Sequence, residues 1–227
     1  MAAGRRFAVA GRESAVQLWC AGDDGRRRRT ETLVTRVPAT VLVHRLLLLL
    51  GLLLGGSAGA AVNEETIFLF QNRKLTIAVP SDLGFSSSKN ERGIISFRLG
   101  HPREKISLEV AFLPDPDGRF ATARNRKEFM NDTFQDYLGD SVEKAMQFEE
   151  LDPTVGSGTY CIFTDAKLVG QTKIPRGEYL HTTTGLKAWP GVVAVFTLFS
   201  NDTDSKEYRE VMTMLRQSVI EVQPPRL

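Results

Sequence analysis

The stretch VVAVFTLF, Val192 to Phe199, most narrows what this chain can fold into. Successive side chains of a β-strand point to opposite faces of the sheet. A run that is apolar at both parities therefore needs an apolar layer on each side. Its β-branched and aromatic residues suit a strand. We expect a central strand in a sheet covered on both faces.

The rest of the chain supplies partners for it. Ile67 to Phe70 and Lys74 to Val79 read as a hairpin across the polar turn Gln71-Asn72-Arg73. Pro80 and Gly84 end that unit, because proline removes a ladder donor and glycine tolerates positive φ. Gly93 to Leu99 and Lys105 to Leu113 read as a second pair, with Ile106, Leu108, Val110 and Phe112 alternating against more polar positions. Asn125 to Leu138 has a helical stripe of Met130, Phe134, Tyr137 and Leu138. Val142 to Leu151 fits a strand or a helical turn. Thr159 to Asp165 and Gly177 to Thr184 read as further strands. Ser205 to Val219 is the clearest helix, with Tyr208, Val211, Met212, Leu215 and Val219 on one face. Asp204 is placed to cap it, Glu207 to reach back, and Pro224-Pro225 to stop it. Strands, a helix, more strands and a closing helix predict an α+β domain whose mostly antiparallel sheet is sandwiched by helices.

In this order of elements the chain resembles the PsbP-like superfamily over about residues 66–221. The resemblance is carried by KLTIAVPSDLGF (Lys74 to Phe85), KISLEVAFLP (Lys105 to Pro114) and VAVFTLFSNDTDSKEYREVMTMLRQSV (Val193 to Val219). It implies an α/β/α sandwich and a non-catalytic accessory or binding role. The family offers no shared active-site residues to carry over.

RLLLLLGLLLGGSAGAA, Arg45 to Ala61, has the three parts of an export signal: a basic flank, a short apolar core and an A-x-A site. Residues 45–60 are expected to be a signal peptide cleaved between Ala60 and Ala61. An uncleaved anchor over 45–61 is the alternative, although a span needs about 20 apolar residues and this run is shorter. Residues 1–44 show no helical or strand period and contain the block Arg26 to Arg29, which suggests an unstructured segment upstream of a true start near Val37, Val41 or Val43. Residues 61–227 are then one α+β domain, exported to the periplasm or beyond the cell.

Charge follows this division. Residues 1–60 carry 9 of the 29 basic and 4 of the 27 acidic side chains, leaving 20 against 23 in residues 61–227, a net charge near −3. A polyanion partner is disfavoured, so no nucleic acid is expected. A membrane would be met only through an uncleaved signal. Of the two cysteines, only Cys161 falls after the signal, so an internal disulfide is excluded there and the core must stabilise the fold by itself.

Candidate chemistry is sparse. Cys161 and His181 fall on neighbouring expected strands, and a thiol beside an imidazole is the pairing that activates cysteine nucleophiles. Cys161 also lies between Tyr160 and Ile162-Phe163, where a small buried hydrophobe is the simpler reading. His101 and His181 are the only histidines after the signal, too few for a histidine-rich metal site, and no metal or cofactor is expected. Asp115-Pro116-Asp117-Gly118 lacks calcium-loop spacing. Gly156-Ser157-Gly158 lacks the third glycine of a dinucleotide fingerprint. Asn131-Asp132-Thr133 and Asn201-Asp202-Thr203 match glycosylation sequons, which matter only in a eukaryotic secretory route.

Trp189, in a Trp-Pro-Gly bend, with Tyr179 and Arg176 nearby, is the one binding patch the sequence nominates. The leading expectation is a small exported, non-catalytic accessory protein that contacts another exported or envelope protein. An exported hydrolase using Cys161 and His181, and a carrier of a small apolar ligand, are the alternatives.

Overall fold

A computed structural model describes residues 62–100 and 105–223. The expected signal over 45–60, the Ala60/Ala61 junction, residues 1–44 and His101 lie outside the described residues.

The first hairpin forms as the sequence predicts. β1 (Val62–Phe68) pairs antiparallel with β2 (Arg73–Pro80), and both Gln71 and Asn72 take left-handed φ of 55° to close the turn. Leu75, Ile77 and Val79 turn one face of β2 into the core.

β3 (Gly84–Lys89), β4 (Ile95–Gly100) and β5 (Ile106–Asp115) follow as an antiparallel meander. β3, sequence GFSSSK, is not signalled by propensity, since serine and glycine are poor strand formers. It forms because β4 offers a complete ladder edge to pair against. α1 (Ala123–Phe134) is capped by Thr122, whose hydroxyl accepts from Asn125 N at 3.3 Å. The expected helix continues to Asp140 only as a 3-10 turn, Gln135–Asp140.

Val142 to Leu151 is mostly irregular and ends in the two-residue β6 (Glu149–Glu150). β7 (Ser157–Thr164), β8 (His181–Trp189) and β9 (Gly191–Ser200) complete the main sheet. α2 (Lys206–Gln217) takes its cap from Ser205, which accepts from Tyr208 N at 3.2 Å, rather than from the expected Asp204. Val219 is not the last helical residue but the first of β10 (Val219–Val222).

Two sheets result, every pairing antiparallel. One has the order β1-β2-β10 and the other β3-β4-β5-β9-β8-β7-β6. The fold is thus α+β with antiparallel sheets and two helices. β9 lies between β5 and β8, the central place its sequence demands.

Alternation along β9 sorts the core. Val192, Ala194, Phe196 and Leu198 join a cluster with Leu75, Ile77, Val211 and Leu215, whereas Val193 and Val195 join one with Met130, Phe134 and Phe120. The two helices therefore bury their apolar stripes in different clusters.

One expected strand is displaced. The reading Gly177 to Thr184 becomes His181–Trp189, because Gly177 sits in a turn at φ 76° and Gly185 belongs to the strand instead of ending it. A Cβ on Gly185 would stand 2.5 Å from Cζ of Phe196 and 2.7 Å from the carbonyl oxygen of Thr159. Glycine is there so that the Phe196 ring of the central strand has room.

Candidate functional site

Residues directly opposite one another in an antiparallel sheet share a face. Register therefore lines up Ser86, Arg98, Glu109 and Thr197 across β3, β4, β5 and β9, with Ser88 and Ser96 in the adjacent row. This face carries α1, but α1 packs over β7 and β8; on β5, Ala111 and Leu113 are buried in the α1 cluster, while the serines of β3 remain exposed. The opening is a groove of about 300 Å³, lined by Ser86, Ser88, Asn90, Ser96, Arg98 and Glu109 together with the apolar Ile94, Phe97 and Val110.

Several polar side chains of the groove are held by one another. Arg98 Nη2 donates to Glu109 Oε1 at 2.5 Å, with the arginine side chain about half exposed and the glutamate nearly enclosed. The hydroxyls of Ser88 and Ser96 lie 3.1 Å apart. Asn90 Oδ1 accepts from Ile94 N at 2.9 Å and holds the β3–β4 turn. The second carboxylate oxygen, Glu109 Oε2, is buried without a hydrogen-bond partner. So are Thr197 Oγ1, opposite Glu109, and Thr182 Oγ1 on β8. Even parity on β8 puts Thr182 on the same face as Thr184, the register partner of Thr197. Buried polar groups are nearly always hydrogen-bonded, so the unsatisfied oxygens of Glu109 and Thr197, opposite one another, single out this row.

Two other buried polar clusters tie elements together. Arg126 of α1 donates to Thr159 Oγ1 at 2.8 Å, Ser157 Oγ at 2.8 Å, the carbonyl of Phe120 at 3.1 Å and Glu150 Oε2 at 3.1 Å, which fastens α1 to β6 and β7. Lys187 of β8 is fully buried and reaches the C-terminus of α2. Its Nζ donates toward the carbonyls of Leu215 at 2.8 Å, Arg216 at 3.0 Å and Ser218 at 2.7 Å, and lies 4.6 Å from the Trp189 ring centroid. A cation there meets the unsatisfied carbonyls and the negative end of the helix dipole. Burial pushes its pKa down to about 7.

The nominated patch is not assembled. Trp189 closes β8 and is buried, its Nε1–H directed at the Ser218 carbonyl at 3.4 Å. Tyr179 precedes β8 and is buried against Phe199, ring centroids 5.6 Å apart. The ends of β8 are separated by about 26 Å at 3.3 Å per residue. Tyr179 and Trp189 are thus at opposite ends of the strand. Arg176 is exposed in the turn before Gly177, at the Tyr179 end.

Cys161 and His181 are likewise kept apart. Cys161 pairs with Thr184, and His181 with Thr164. The three-residue offset sends the two side chains to opposite faces of the sheet. Cys161 Sγ lies 3.4 Å from Thr184 Oγ1, and burial pushes its thiol up to about 11. His181 Nδ1 is 3.2 Å from Thr164 Oγ1, and burial lowers its pKa against the opposing pull of Glu143, Asp202 and Asp204. No dyad forms.

Arg98, Glu109 and Lys187 were invisible as a site in the sequence. Arg98 and Glu109 read as solvent positions of two strands, and only register joins them. A lysine inside the otherwise apolar run Leu186-Lys187-Ala188-Trp189 was the one local signal for the buried ammonium.

No family model matches the chain. No curated protein matches it either. Among solved structures, the chain is similar to the solution structure of cyanobacterial PsbP (CyanoP) from Synechocystis sp. PCC 6803, at 11% identity and a TM-score of 0.46, over 75% of this chain and 99% of that one. The faint PsbP-like resemblance read from the strands and closing helix is present in the structure at that level.

Proposed function

We propose that residues 61–227 are a small exported, non-catalytic binding protein, with helices on either side of its main sheet, whose working surface is the open β3–β5 face. One observation carries this reading: the groove ends on a buried carboxylate, Glu109, that keeps one oxygen without a partner. An orphaned buried acceptor costs about 1–3 kcal/mol, a cost that a bound group offsets. The separation of Cys161 from His181 removes the hydrolase reading its proposed nucleophile and base.

Export rests on the leader over 45–60. Among the described residues no helix is long and apolar enough to cross a membrane. The partner in this reading belongs to the same exported or envelope compartment.

Two measurements test the proposal. Cell fractionation with N-terminal mass spectrometry of the endogenous protein should find a chain beginning at Ala61 in the exported fraction; a membrane-bound chain retaining residues before Arg45 overturns export. A photo-crosslinking residue at Ser88 should give a discrete adduct in that fraction, while one at exposed Lys173 should not. Equal labelling from both positions overturns the groove as the working surface.

A further inference from the structure

We propose that the β3–β5 groove binds a neutral polyhydroxylated ligand, a saccharide unit, between the Ser86, Ser88 and Ser96 hydroxyls and the Arg98–Glu109 pair. The inference rests on the groove being the working surface and names what it takes.

Size comes first. About 300 Å³ is at the small end of ligand clefts and suits one or two sugar rings rather than a folded partner. Charge comes next. Arg98 and Glu109, 2.5 Å apart, offset one another. The pair is net neutral, so the groove offers no excess charge of either sign and a neutral ligand suits it.

Hydrogen-bonding type decides the class. Serine hydroxyls donate and accept, the guanidinium only donates and the carboxylate only accepts. A ligand complementary to all three needs a donor for the carboxylate and an acceptor for the guanidinium, closely spaced on a rigid frame. Vicinal hydroxyls meet that requirement. One sugar O–H would donate to Glu109 Oε2, which has no partner, and its neighbour would accept from a guanidinium N–H. Oε2 is buried, so this contact requires the Glu109 carboxylate to turn toward the groove while it keeps its bond to Arg98. Ser88 and Ser96, already 3.1 Å apart, offer the second pair of contacts.

The experiment is NMR titration of the full-length exported product with glucose and with N-acetylglucosamine, followed at the backbone amides of β3 and β4 and the Arg98 side chain. Saturable shifts at Ser86, Ser96 and Arg98 are expected. Glu109→Gln, which keeps shape and removes charge, should weaken binding at least tenfold. Ser88→Ala, on the exposed edge strand and harmless to the core, should weaken it severalfold, while Lys173→Ala should not. If both sugars leave the groove unshifted while a neutral serine-rich hexapeptide shifts it, the saccharide assignment falls and the groove reading stands. If neither probe shifts it, both fall. Sugar-induced shifts that persist unchanged in Glu109→Gln and Ser88→Ala also overturn the assignment.

Discussion

The ammonium nitrogen of Lys187 stands 2.7 Å from the carbonyl oxygen of Ser218, at the point where α2 gives way to β10. A single buried cation thereby closes the end of a helix and the start of a strand. Lys187→Met fills similar volume but leaves the Leu215 carbonyl with only the Ser218 hydroxyl and the Ser218 carbonyl with only the Trp189 N–H at 3.4 Å. It should cost about 1–3 kcal/mol in urea unfolding, with faster amide exchange along β10 than along β9. Loss without that local signature would mean that Lys187 acts through packing alone.

The same lysine sets a pH dependence. Its folded pKa of about 7 lies below the unfolded value near 10.4, so between those limits the unfolded chain binds more protons than the folded one. Stability should therefore rise from pH 7 toward pH 10, and the slope should flatten in Lys187→Met. Urea midpoints at pH 6, 8 and 9.5 for both proteins decide it; parallel profiles would show that the carbonyls keep the ammonium charged throughout.

Gly185→Ala should destabilise by about 1–3 kcal/mol, since the new methyl meets the Phe196 ring and the Thr159 carbonyl. Adding Phe196→Leu relieves only the ring clash. The double variant should therefore recover part of the loss relative to Phe196→Leu alone, and strict additivity of the two costs would count against the contact.

Arg126→Met should loosen α1 by about 2–4 kcal/mol, because Thr159 and the Phe120 carbonyl lose their buried donor. Arg126→Lys should restore less than half, as one ammonium cannot span β6, β7 and the Phe120 carbonyl at once. Thermal melts of the three proteins give the ranking.

Cys161 should resist a thiol reagent in the native protein and react at the rate of unfolding, with labelling accelerated by mild denaturant. At a pKa of about 11 roughly one thiol in ten thousand is ionised at pH 7, and the side chain is enclosed besides. Rapid native labelling would reopen a chemical role.

Much of the fold was legible because period and burial agree. Val192 to Phe199 demanded cover on both faces, and the two core clusters divide along its alternation. The stripe from Tyr208 to Leu215 gave α2 directly. What escaped depends on partners distant in sequence. The serines of β3 have no strand propensity of their own, Gly185 looks like a strand end until Phe196 is set across from it, and β10 exists only because β2 has a free edge. The groove is hidden for the same reason: Arg98 and Glu109 become a pair through register, and the emptiness above them arises from where α1 stops.

The three-stranded sheet joins β2 near the start of the described chain to β10 near its end, Leu75 opposite Ile220. Such a long-range pairing closes slowly, and until β10 has been made the β1–β2 hairpin lacks its third strand.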